Sequence, residues 1–262
     1  MTALSPTSER AAKVGAPLLV GLLGLAVWQF LVSVVGVSEY LLPSPSEIWT
    51  ELDANFAAIR EAAWITGGNA LAGLVFGTVL GVLLATAAGW ARWFDGMLAP
   101  VVASAAVVPI VALAPVLNSM YGADSEYGRR AIAALAAFVP VFVNTLRGLR
   151  QTTPLHRDLM SSYAASGLQT FRALTLPSAA PYVLTGIRVA SSLAVISALV
   201  AEYFGGPRGG LGSFITTSAA TSAYARAWAY VAAAILLGLG AYLVTVLLER
   251  LVQLRLPTGN TR

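Results

Sequence analysis

The chain has 262 residues, 57% of them hydrophobic and only 11% charged, whereas a soluble domain carries roughly 25% charged residues, so the sequence reads as a membrane protein. Its net charge of +4 is dispersed as single basic residues around apolar runs and forms no block or face suited to nucleic acid. The absence of cysteine, a lone lysine (Lys13) outside any G-x-x-x-x-G-K-[ST] pattern and a lone histidine (His156) in a polar stretch exclude disulfides, thiolate or multi-histidine metal sites, a phosphate-binding P-loop and an intramembrane Ser/His hydrolase.

Residues 1–15 are polar and are read as a tail, followed by an apolar run over 16–37 that is long enough to cross the hydrocarbon core. A cleaved signal peptide would have a shorter apolar region and a small-residue cleavage site, and this run has neither. Pro43 and Pro45 then predict extended chain, with Ser46 capping a helix from Glu47. Ile48, Leu52, Phe56 and Ile59 form a stripe on that helix, which fits either an element lying along the membrane surface or a solvated connector.

A second span is predicted over 65–90, with Gly73, Gly77 and Gly81 at a spacing of four. Such a ridge lets another helix come close, within the same subunit or across a dimer seam. Arg92, between Trp90 and Trp93, marks a membrane boundary. The third span, 97–121, contains Pro100, Pro109 and Pro115, whose freed carbonyls are tolerated beside neighbouring helices or a water-lined path. A fourth span, 131–149, carries Pro140 and Asn144 and closes on Arg147 and Arg150.

Residues 153–181 are too polar to span and are amphipathic. Thr153 and Pro154 read as a cap with proline in the first turn, and Leu155, Leu159 and Tyr163 follow at i, i+4 and i+8. Ser166 and Gln169 have the S-x-x-Q capping-box spacing of a second short helix with Leu168, Phe171 and Leu174, and Pro177 is expected to stop it. Two short helices of this kind suit a groove on a soluble partner or a bed of lipid headgroups equally well. A fifth span follows at 182–202, with Arg188 about two turns inside. A glycine-rich loop at 205–212 then leads to a sixth span at 228–249.

In this six-span arrangement ten Lys/Arg residues fall on the side of the termini and of residues 153–181, and five on the other. The positive-inside rule therefore predicts cytoplasmic termini and sets Trp228 and Tyr230 in an outer aromatic belt. Asn69, Asn118, Asn144, Thr145, Ser191, Ser192 and Ser197 are candidates for a translocation path, although serines also bond to their own helix carbonyls. Arg188 either faces an anionic solute or is paired or snorkelling. Glu202, Arg208, Gly210, Leu211 and Gly212 are candidates for an outer gate or receptor contact, and a flexible turn would explain the glycines alone.

Residues 158–177, ending in Thr-Leu-Pro, and Gly-Ile-Arg-Val-Ala at 186–190 resemble the EAA loop of bacterial ABC importer permeases, most closely the branch importing nitrate, taurine and aliphatic sulfonates. Leu-Leu-Pro-Ser-Pro-Ser-Glu-Ile-Trp from Leu41, Phe-Val-Pro-Val-Phe-Val-Asn-Thr-Leu-Arg-Gly-Leu-Arg from Phe138 and Ala-Glu-Tyr-Phe-Gly from Ala201 stand in the order that branch shows. Asp158, Leu159 and Met160 replace the usual Glu-Ala-Ala, and Ala164 stands where the family has glycine.

The resemblance implies an all-α membrane protein of about six transmembrane helices with the type I importer architecture, its permease domain over 16–250, a coupling segment at 153–177 and cytoplasmic tails at 1–15 and 251–262. It implies a multi-pass subunit of the bacterial inner membrane that is not itself an enzyme and has no catalytic residue, metal or cofactor of its own. Its partners would be a second copy, two cytoplasmic ATPase subunits that bind ATP and Mg, an external solute-binding protein and lipid. Arg157, Asp158, Leu159, Tyr163, Ala164, Leu168, Gln169 and Phe171 are the coupling residues it implies, with Leu159, Tyr163, Leu168 and Phe171 on the docked edge and Arg157 and Asp158 as polar fasteners. A stand-alone secondary carrier or channel is the alternative, and the transported solute is left open.

Overall fold

The computed structural model describes residues 6–38, 40, 42–122, 125–205 and 209–255. Its order is α1 (Pro6–Ser33), α2 (Pro45–Ala54), α3 (Phe56–Trp90), α4 (Arg92–Val107), α5 (Ile110–Tyr121), α6 (Glu126–Leu149), α7 (Pro154–Ser162), α8 (Gly167–Thr170), a π-helical turn (Phe171–Thr175), α9 (Leu176–Phe204), α10 (Leu211–Ala220) and α11 (Tyr224–Arg255). Five helical stretches are long and apolar enough to cross a membrane, and α4 with α5 makes a sixth if the bent pair counts as one span. The fold is an all-α multi-pass membrane protein.

Close packing of α3, α6 and α9 forms the centre of the bundle. The glycine ridge of α3 lies against α6 of the same chain: a Cβ at Gly77 would stand 2.5 Å from the Ala134 carbonyl oxygen, and one at Gly81 3.0 Å from Val141 Cγ1. One at Gly73 would run into Ala133. The ridge is thus used within the subunit, where backbone approach yields van der Waals contact that lipid tails do not compete for.

Proline behaves differently at each site. Pro100 and Pro115 lie inside α4 and α5, whereas at Pro109 the chain breaks and the two helices bend by 97°. Val108, the residue before Pro109, is extended at φ −60°, ψ 121°, as the proline ring favours for its predecessor. The expected single helix over 97–121 is therefore two. Pro177 does not stop its helix either. The π-turn ends with Leu176 N–H donating to Phe171 O, five residues back, and the helix runs on through Pro177 as one stretch, Gly167–Phe204. The wider turn accommodates a ring that has no N–H to place and that ordinarily strikes the carbonyl four residues earlier.

Other boundaries also differ from those expected. Ser44, not Ser46, caps α2: its Oγ accepts from Glu47 N–H, Glu47 Oε2 accepts from Ser44 N–H at 2.8 Å, and Pro45 takes the first helical position. Ser46 instead gives its N–H to Gln29 Oε1 at 3.1 Å, tying α2 to α1. The expected stripe is split between two helices, Ile48 and Leu52 on α2 and Phe56 and Ile59 on α3: Ile48 and Ile59 are buried with Tyr230 and Ala229 of α11 and Leu52 packs against them, while Phe56 is exposed. Tyr230 stacks on Phe214 at 4.9 Å between centroids, inside the core and not in an interfacial belt. Helix α10 occupies a stretch expected to be connection, and helical structure extends past the expected limits at residues 15, 65, 182, 228 and 249.

Candidate functional site

Residues 153–175 form a protruding segment at the end of the bundle where α3 and α6 finish. Thr153 Oγ1 accepts from His156 N–H and Pro154 begins α7. Ser166 and Gln169 form the reciprocal capping box of α8, with Ser166 N–H donating to Gln169 Oε1 at 2.7 Å. Both caps stand where the sequence puts them, because each needs only residues within one turn.

No residue of α7 is buried, and Leu155, Leu159, Tyr163 and Leu168 are each at least half exposed. Asp158 and Gln169 are exposed too, the latter with its side chain engaged in the cap. Ala164, in the turn between α7 and α8, takes the left-handed conformation at φ 52°, which glycine adopts without cost. Two of the residues expected at the docked surface also have partners within the chain, although Arg157 is itself exposed. Phe171 is half-buried and stacked on Trp90 of α3, with centroids 6.2 Å apart and planes at 21°. Arg157 donates through Nε and Nη2 to the buried Thr152 Oγ1 at 3.0 and 2.8 Å. Behind the segment a cavity of about 380 Å³ is lined by both residues and by Thr86, Gly89, Trp90 and Leu149.

The translocation candidates do not converge. Asn144 donates to Pro140 O at 2.8 Å and lines an apolar cavity of about 410 Å³ with Val108, Val139, Val143 and Leu193, beside the break between α4 and α5. Ser192 lines a different groove, of about 450 Å³, between α9 and α11. Asn118 is buried and donates to Ala201 O at 3.2 Å; Ser191 is buried, donates to Arg188 O at 2.7 Å and meets Thr245; Ser197 and Thr145 are buried as well.

Two buried polar clusters hold α9. Near its middle Arg188 pairs with Glu249 of α11 at 2.8 Å, and Thr185 Oγ1 donates to the same carboxylate at 3.2 Å. At its far end lies the fully buried Glu202. Glu202 Oε2 accepts from Thr66 Oγ1 at 2.7 Å and from Gly212 N–H at 3.2 Å. Beside it Arg129, also buried, bonds Glu126 at 3.1 Å, Asn69 donates to Glu126, and Arg130 donates to Asn69 at 3.1 Å. Gly210, Leu211 and Gly212 are buried with Glu202, so these four offer no outward surface to a receptor, and Arg208 lies outside the described residues. The glycine spacing at 205–212 gives no sign of α10, which begins within that stretch at Leu211.

No group of three or more metal-ligating side chains occurs among the described residues. The family model described as the binding-protein-dependent transport system inner membrane component matches residues 77–256. The chain is 32% identical over 210 residues to the formylaminopyrimidine transport permease protein of Halalkalibacterium halodurans, covering 76% of this chain and 78% of that one. It is 30% identical over 245 residues to the riboflavin transport system permease protein of Chloroflexus aurantiacus, covering 91% and 88%. With the putative aliphatic sulfonates transport permease protein of Escherichia coli it shares 31% identity over 182 residues, 68% of each. A bundle of apolar helices with a protruding amphipathic segment, matched over most of its length by this family, identifies the chain as a member of the binding-protein-dependent transport system inner membrane components, the transmembrane permease subunits of ATP-binding-cassette importers.

Proposed function

We propose that residues 153–177 are the cytoplasmic coupling segment through which two ATPase subunits, binding ATP and Mg, drive a homodimer of this permease, with an external binding protein delivering the solute. The observation that carries this reading is the unpartnered edge of Leu155, Leu159, Tyr163 and Leu168 on a capped, protruding helix pair. Exposed apolar side chains at i, i+4 and i+8 are the anchors of a helix laid in a groove, and the segment's firm caps leave little ordering cost for binding. Asp158 is the polar fastener of that edge. Phe171 and Arg157 take a further role: Phe171 stacks the segment on Trp90 of α3 and Arg157 ties it to Thr152 in the connection from α6, so that a displacement of the docked edge is passed to the bundle.

Both termini and the coupling segment lie on the cytoplasmic side by the excess of basic residues there. A nucleotide-driven change acts on the permease only if the segment is held differently in the two states; the single stretch Gly167–Phe204 makes α9 the element that transmits it. The cavity beside Asn144 is lined by no charged side chain, and the relatives' names cover a pyrimidine, a flavin and sulfonates. Solute choice is therefore assigned to the binding protein.

The test is co-purification of the ATPase with the permease in detergent. Tyr163→Asp is expected to abolish co-purification and uptake. Retained association and uptake would refute the docking assignment, and ion-gradient-driven uptake by this chain alone would support a secondary carrier in its place.

A further inference from the structure

Helix α10 begins at Leu211 after Gly210, which has no side chain to cap it. The first amides of a helix have no partner within it, and Ser, Thr, Asp or Asn at the cap position normally accepts from one of them. Here the acceptors come from two other helices. Leu211 N–H donates to Thr66 Oγ1 of α3 at 2.9 Å, Gly212 N–H donates to Glu202 Oε2 of α9 at 3.2 Å, and Thr66 Oγ1 in turn donates to the same oxygen at 2.7 Å. Ser213 Oγ adds a bond to the Glu202 carbonyl at 3.3 Å.

The glycines have a matching explanation. A Cβ at Gly210 would fall on the Glu202 carboxylate, and one at Gly212 on the Leu199 carbonyl and the Glu202 side chain. The Ala-Glu-Tyr-Phe-Gly and Gly-Leu-Gly stretches are thus two halves of one joint: an acid supplied by α9 and a glycine-lined helix start that receives it.

We infer that Glu202, with Thr66 as its relay, is the positioning residue that caps α10 from outside and clasps it to α3 and α9 at the end of the bundle opposite the coupling segment. Glu202 rides on the same continuous helix as Leu168, about 50 Å away at 1.5 Å per residue. A shift of α9 relative to α3 parts Thr66 from Glu202, and α10, bonded to both, can follow only one of them. The importance of the clasp for transport rests on the coupling reading above; the capping itself does not.

The capping is tested by hydrogen exchange of the full-length chain in lipid nanodiscs. Glu202→Ala and Thr66→Val are expected to speed exchange across residues 211–213 by about tenfold or more relative to wild type. Glu202→Gln keeps an acceptor oxygen and Thr66→Ser keeps the hydroxyl, so both are expected to exchange as wild type. Unchanged exchange in Thr66→Val, which preserves shape and so stays informative if Glu202→Ala fails to assemble, overturns the proposal. So does a Glu202→Gln variant as fast as Glu202→Ala, which would assign the effect to charge. With the ATPase and binding protein added, Thr66→Val is expected to retain ATPase association while solute uptake drops about tenfold, and Thr66→Ser to restore it. Full uptake in Thr66→Val overturns the positioning role. An ATPase that does not bind the wild-type chain refutes the coupling reading and leaves the exchange comparison standing.

Discussion

Phe171 and Trp90 lie nearly parallel, their ring centroids 6.2 Å apart, and join the π-turn at the base of α9 to the last residue of α3. One short segment thus has an exposed outer edge, the edge proposed to dock, and an inner ring that holds it to the bundle. Phe171→Ala is expected to leave ATPase co-purification near wild type and lower uptake several-fold, whereas Tyr163→Asp loses both. Parallel pull-down and vesicle uptake assays check it.

The turn at Ala164 has a measurable strain. An L-residue in the left-handed region costs about 1–2 kcal/mol, which glycine avoids while losing more chain entropy. With Ala164 at φ 52°, Ala164→Gly is expected to stabilise the α7–α8 turn by roughly 0.5–1 kcal/mol. The readout is slower amide exchange over residues 160–166, since the segment is too peripheral for its turn to govern global melting.

Crowding along the α3 ridge predicts a position-specific cost. Gly77→Ala brings a Cβ within 2.5 Å of the Ala134 oxygen and is expected to destabilise by about 1–3 kcal/mol as α3 and α6 are forced apart. Gly67→Ala, whose Cβ would meet only Leu237 Cδ1 at 3.5 Å, is expected to be neutral or mildly stabilising. Thermal denaturation in detergent compares the two.

The Arg188–Glu249 pair predicts strong non-additivity. Its side chains retain 32% and 9% of their exposure, so removing one partner leaves a largely buried charge and is expected to cost about 2–4 kcal/mol, below the full cost in a dry interior. Arg188→Met with Glu249→Met together is expected to recover most of that loss. A double-mutant cycle on thermal stability measures the coupling.

What was legible in the chain was what short stretches determine by themselves. The apolar runs gave the spans, and the caps at Thr153–Pro154 and Ser166–Gln169 gave the starts of α7 and α8, because a capping bond closes within one turn. The family followed from the same stretches. Partnering across the bundle was not legible. Pro100, Pro109 and Pro115 look alike in sequence, yet only Pro109 breaks its helix, and Pro177 is absorbed by a π-turn. Asn118, Ser191 and Ser197 look like pore residues until neighbouring helices bury them. Glu202 reads in sequence as part of an outer gate or receptor contact, and folding buries it against the start of α10. Local hydrogen bonds and hydrophobic length are encoded at close sequence range; the side on which a polar residue finds its partner is decided when α3, α6 and α9 close on one another.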